Sequence, residues 1–126
     1  MPTTDAPMDL HALSLQLRVF AEERDWDQFH NPKNLVMALA GETGELLEIF
    51  QWMTPDQAAA VAQSPEKFRA VEDELADVFI YLVRLADKLG VDLETVIARK
   101  ISENAAKYPV HKSRGNCLKY TELPED

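Results

Sequence analysis

Apolar residues recur along most of this chain at helical spacing, while strand signals are weak throughout. Leu10, Leu13, Leu17 and Phe20 share one stripe. With Asp9 as capping residue, the first helix is predicted to run to about Arg24. A polar, aromatic connector follows, Asp25-Trp26-Asp27-Gln28-Phe29-His30. Asn31-Pro32 supplies the N-cap and first residue of a second helix reaching about Met53. Its stripe is Leu35, Leu39, Leu46, Ile49 and Met53. Thr54-Pro55-Asp56-Gln57 has capping-box spacing and predicts a short helix. Ser64-Pro65 opens a third main helix, which Gly90 ends by taking the left-handed conformation of a helix stop. Asp92 caps a fourth, closing before Tyr108-Pro109. The expected architecture is all-α, a four-helix bundle over residues 1–110, with residues 111–126 as an extended tail.

One run departs from amphipathic patterning. Val78-Phe79-Ile80-Tyr81-Leu82-Val83 is apolar around the whole helix, and such a helix must be covered on every side. Four helices from one short chain are too few for that, so a homo-oligomer is expected.

Composition narrows the function. A 126-residue chain that is 46% hydrophobic and 28% charged is globular. Its net charge of -9 argues against a nucleic-acid partner, which needs a Lys/Arg excess to displace counterions. A nucleotide is not excluded, because a bound cation reverses the sign of an acidic cluster. The single cysteine, Cys117, fits a reducing cytoplasm. The start, MPTTDAPMDL, lacks the basic and apolar regions of a signal peptide. The longest apolar run is far short of the ~20 residues that span a bilayer, so a cytoplasmic protein without a membrane partner is expected.

Four acids stand where apolar residues belong. Glu42 falls inside the stripe of the second helix, with Glu45 one turn on at its edge. Glu74 is flanked on its own face by Val71, Val78 and Tyr81, with Asp77 beside it. Spacing of i,i+3 puts both acids of each pair on one helix face. A Glu-x-x-Glu pair is ordinarily a solvated face, and Glu22, Glu23, Glu48, Glu72 and Asp73 read that way. Buried carboxylates, by contrast, must pair, protonate or bind metal. Two such faces meeting would gather four carboxylates, an all-oxygen set that selects a hard ion, Mg²⁺ or Mn²⁺.

On the fourth helix Lys100, Asn104 and Lys107 share one side. Facing an acid cluster they suit a polyphosphate held between metal and ammonium groups. Lysines near a helix C-terminus also simply complement its dipole. No Glu is followed three residues later by His, which excludes the di-iron carboxylate pattern. Dispersed His11, His30 and His111 offer no zinc pattern. The other reading is a non-catalytic helical interaction module, which accounts for the amphipathic helices but not for acids within buried stripes.

Gly41-Glu42-Thr43-Gly44-Glu45, followed after 28 residues by Glu74-Leu75-Ala76-Asp77, resembles the ExxE…ExxD signature of MazG-like all-α NTP pyrophosphatases, within them the dCTP pyrophosphatase branch. The likeness extends through residues 22–30, Phe50-Gln51-Trp52, Val78–Val83 and Lys119-Tyr120-Thr121-Glu122-Leu123-Pro124. Gly41 departs from it, standing where the broader family often has a leading acid. The resemblance implies a magnesium site of Glu42, Glu45, Glu74 and Asp77, the same acids being catalytic, with manganese a possible substitute. It implies water attack at the α-phosphorus of dCTP, giving dCMP and pyrophosphate in a role of sanitising altered cytosine nucleotides. It further implies Lys100, Asn104 and Lys107 at the triphosphate, an aromatic base pocket of Trp26 and Trp52 with His30 and Tyr81 nearby, and a homotetramer. Glu42, deepest in its stripe, is the expected general base, since burial raises a carboxylate's pKa.

Overall fold

A computed structural model describes residues 7–126; the first six, which carry most of the segment read for a leader, lie outside them. Six α-helices and three 3₁₀ turns make up the described residues, with no strand among them. The helices are α1 (Leu10–Glu23), α2 (Pro32–Phe50), α3 (Pro55–Ala59), α4 (Pro65–Leu89), α5 (Leu93–Lys107) and α6 (Val110–Ser113).

The helix starts follow local chemistry. Asp9 Oδ1 accepts from the N–H groups of His11 and Ala12 at 3.0 and 3.2 Å, and Asn31 Oδ1 from Asn34 at 2.9 Å. Thr54 and Gln57 close a capping box, each side chain accepting from the other's backbone. These contacts satisfy donors that a helix start leaves orphaned. Gly90 ends α4 with φ +69°, and Val91 N–H reaches back to the Ala86 carbonyl at 2.9 Å. Asp25 turns the chain off α1 in the same left-handed region, with φ 54°. Its side chain accepts from Gln28 Nε2 at 2.9 Å, the local bonding that lets Asp tolerate this conformation.

Two expected boundaries shift. α2 stops at Phe50 rather than Met53, because Thr54 precedes a proline and leaves helical geometry, at ψ 162°, to cap α3. The tail expected to be extended is so only in part. Pro109 presents its carbonyl to Lys112 and Ser113 N–H, each at 3.0 Å, starting α6, and Tyr120–Glu122 forms a 3₁₀ turn.

The chain divides into two compact units, one ending at Val91 and the other Asp92–Asp126. In the first, α4 is the central element, packed chiefly against α2 and also against α1. Ala21, Leu35, Val71, Val83 and Ala86 are its buried apolar residues. Phe79, Ile80 and Leu82 of the all-round apolar run are each more than a third exposed. In the second unit Tyr120 packs edge-on against Tyr108, ring centroids 6.1 Å apart. No helix among the described residues is long and apolar enough to cross a membrane.

Candidate active site

The packing of α2 on α4 brings Glu42, Glu45 and Glu74 together, each offering a carboxylate oxygen within 4.8 Å of the others. Glu42 and Glu74 are half-buried and Glu45 is exposed. Glu42 Oε2 and Glu74 Oε2 are buried without a hydrogen-bond partner, two of three such side-chain atoms among the described residues. A buried acceptor left unpaired costs roughly 1–3 kcal/mol, so the pair calls for a donor or a cation.

The protonation chemistry points the same way. A proton shared with Glu74, ahead of burial and the neighbouring Glu45 charge, pushes the Glu42 carboxyl up to about 7. Asp77 is half-buried on α4 outside the three-residue group, and its charge adds to the upward push on Glu42. The donor set is all oxygen and strongly negative, which fits a hard divalent ion.

A groove of about 740 Å³ adjoins the acids. Ile49, Trp52 and Met53 line it from the end of α2, and Glu66, Lys67 and Ala70 from the start of α4. Ile49 follows Glu45 by one turn and Ala70 precedes Glu74 by one turn, so the groove continues from the cluster on the same faces. Trp52 is 88% exposed at its rim.

Of the other expected base contacts, Trp26 and His30 lie on the connector after α1 and Tyr81 on α4. Trp26 and His30 are neighbours, ring centroids 6.4 Å apart, and Phe20 meets Trp26 edge-on at 5.9 Å. His30 bonds to Arg84, whereas Trp52 shares its groove with Ala70. At 1.5 Å per residue these stations are about 21 Å apart along α4. One copy of the chain therefore does not bring Trp26 and Trp52 to a single base. Tyr81, half-buried, lies one turn beyond Asp77. Lys100, Asn104 and Lys107 are exposed on α5 in the second unit. Lys100 Nζ is 3.4 Å from Glu103 Oε2, and Lys107 Nζ sits 4.9 Å over the Tyr120 ring.

Sequence reasoning missed Arg84. Its side chain is only 3% exposed and donates to Asp27 Oδ1 at 2.6 Å, Asp87 Oδ2 at 2.8 Å and His30 Nδ1 at 3.2 Å. Arg18 bonds Asp87 and Lys88 bonds Asp27, both at 2.6 Å. Lys88, with Arg84, holds the Asp27 carboxyl below its usual range, and Arg18 does the same for Asp87. The available signal was an arginine closing an apolar run with Asp87 at i+3.

A profile of the MazG-like family matches residues 38–123. The chain belongs to the MazG-like family. This MazG-like chain is 47% identical over 98% of its length to dCTP pyrophosphatase 1 of Bos taurus, covering 69% of that protein. Against dCTP pyrophosphatase 1 of Homo sapiens the identity is 46% with the same coverage. A crystal structure of a pyrophosphatase from Archaeoglobus fulgidus matches with a TM-score of 0.72 and 34% identity, over 86% of this chain and 99% of that one.

Proposed function

We propose that this chain hydrolyses dCTP, and altered cytosine deoxynucleotides, to the monophosphate and pyrophosphate. It is a nucleotide pyrophosphatase hydrolase by the relatives it matches. The observation that carries the reading is the pair of unpartnered buried oxygens on Glu42 and Glu74 beside an open groove. A purely structural bundle has no reason to keep them.

Glu42, Glu45, Glu74 and Asp77 are the residues that would hold magnesium, or manganese in its place. The ion supplies neutralisation of phosphate charge and a lowered pKa for water. Within the chain, Glu42, the acid set deepest in the apolar stripe of α2, accepts the proton of the attacking water. Lys100, Asn104 and Lys107 bind the triphosphate, and Trp26, His30, Trp52 and Tyr81 bind the base. Because the connector bearing Trp26 and the groove bearing Trp52 meet α4 about 21 Å apart, a pocket using both takes one from each of two copies. The exposed apolar residues Phe79, Ile80 and Leu82 suit burial in such an assembly, proposed as a tetramer. Residues 1–110 carry the activity, with 111–126 appended, and a reducing cytoplasm suits the exposed free thiol of Cys117.

The test is a panel of dNTPs and NTPs with Mg²⁺ and product identification. Pyrophosphate and dCMP from dCTP are expected. Release of orthophosphate, or no turnover of any nucleotide, overturns the reading.

A further inference from the structure

The Arg84 cluster lies at the opposite end of α4 from the groove, and the proposed chemistry does not use it. A guanidinium carries only donors, so the contact from Arg84 Nε fixes His30 Nδ1 as an acceptor. The one proton of a neutral His30 ring then sits on Nε2. Burial, followed by the Arg84 charge, lowers the His30 pKa, which favours the neutral ring. The same guanidinium spans from α4 to the connector through Asp27, which starts the 3₁₀ turn between Trp26 and His30. Asp87, bonded by both Arg84 and Arg18, fixes the guanidinium from behind. Three acceptors in a fixed fork hold an arginine in one orientation.

A donor at Nε2 has a consequence for pyrimidines. Cytosine presents a lone pair at N3, whereas uracil and thymine present an N3–H. A site that offers a donor there pairs with the first and opposes the second, and unpaired polar groups reject far better than shape does.

We propose that Arg84 is a positioning residue for pyrimidine choice: it holds His30 as an Nε2–H donor and ties the connector bearing Trp26 and His30 to α4, so that a base with an acceptor at N3 is taken ahead of one with a donor there. This rests on the reading that the connector meets the base of a nucleotide substrate.

The experiment combines ¹⁵N NMR of the His30 ring, without substrate, with kinetics on dCTP and dUTP for the full chain, Arg84→Lys and Asp27→Asn. The full chain is expected to carry its His30 proton on Nε2 and to prefer dCTP. Arg84→Lys keeps the charge but replaces the fork with a single ammonium. It is expected to mix the two tautomers and to lower the dCTP-to-dUTP ratio of kcat/KM about five- to tenfold, the worth of one hydrogen bond. That loss falls on KM, with kcat for dCTP kept within about twofold. Asp27→Asn leaves Arg84 in place while loosening the connector, and lowers the same ratio in the same direction should Arg84→Lys fail to fold. A proton on Nδ1 in the full chain, no preference for dCTP over dUTP, or equal losses on both nucleotides in the variants would overturn the proposal. A full chain that hydrolyses no nucleotide sinks the functional reading alone, and the substrate-free tautomer still decides whether Arg84 governs His30.

Discussion

Glu42 on α2 and Glu74 on α4 place carboxylate oxygens within 4.8 Å of each other, and the Oε2 of each is buried without a hydrogen-bond partner. Ionised carboxylates are acceptors only, so each of these oxygens calls for a donor or a cation.

The first consequence is catalytic. Glu45→Gln or Asp77→Asn removes one carboxylate from the set proposed to share the ion's charge. Turnover of dCTP should fall by at least about a hundredfold, while far-UV circular dichroism stays unchanged. Full activity in either variant would remove that acid from the site.

The second concerns acidity in the metal-free protein. Glu42 has a folded pKa of about 7 against 4.5 unfolded. The folded state therefore binds the extra proton, and stability is lost as pH rises between these values. His30, with its pKa lowered, acts in the opposite sense near pH 6.5, so the whole-protein profile mixes the two. Subtracting a Glu42→Gln profile isolates the glutamate. The variant should gain stability over the parent at pH 8 and gain little or nothing at pH 4. An equal difference at both pH values would mean that folding leaves the Glu42 pKa unshifted.

The third is linkage to the ion. Magnesium at a hundredfold excess over its Kd should add about 2.7 kcal/mol to the stability of the parent chain. Thermal unfolding with and without Mg²⁺ reads this directly, and the Glu45→Gln and Asp77→Asn variants should lose most of the gain. A parent Tm indifferent to divalent ions would count against any metal at the cluster.

The fourth separates affinity from choice. Trp52 is 88% exposed, so Trp52→Ala should cost little stability. If it stacks on the base, its loss removes about 1–3 kcal/mol of binding, by analogy with base–aromatic stacking in nucleic-acid complexes. The KM should then rise for every accepted nucleotide, with the dCTP-to-dTTP ratio nearly constant. His30→Ala should change that ratio more. An unaltered KM in Trp52→Ala would leave the groove without a role in base binding.

Assembly gives a fifth expectation. Light scattering at micromolar concentration should return a mass several times the 14.3 kDa of one chain, close to a tetramer. A charge placed at Ile80, more than a third exposed in one copy, should lower that mass. A monomeric parent would show that the apolar run needs no partner.

Sequence and tertiary structure divide the account along a physical line. Helix starts and stops depend on neighbours within four residues, so Asp9, Asn31, the Thr54–Gln57 box and Gly90 are legible in the chain itself. The placing of Glu42 and Glu74 within apolar stripes is likewise a property of helical periodicity, and it marked the cluster before any fold was known. Periodicity says which face a residue occupies but not how far along a facing helix its partner stands. Only the packing of α2 on α4 decided that Glu45 joins the close group while Asp77 lies outside it. The same limit hid the separation of Trp26 from Trp52, and it hid Arg84, whose partners Asp27 and His30 come from a connector remote in sequence. The sequence by itself determined which acids stand in or beside apolar stripes; the crossing of two helices determined which of them meet.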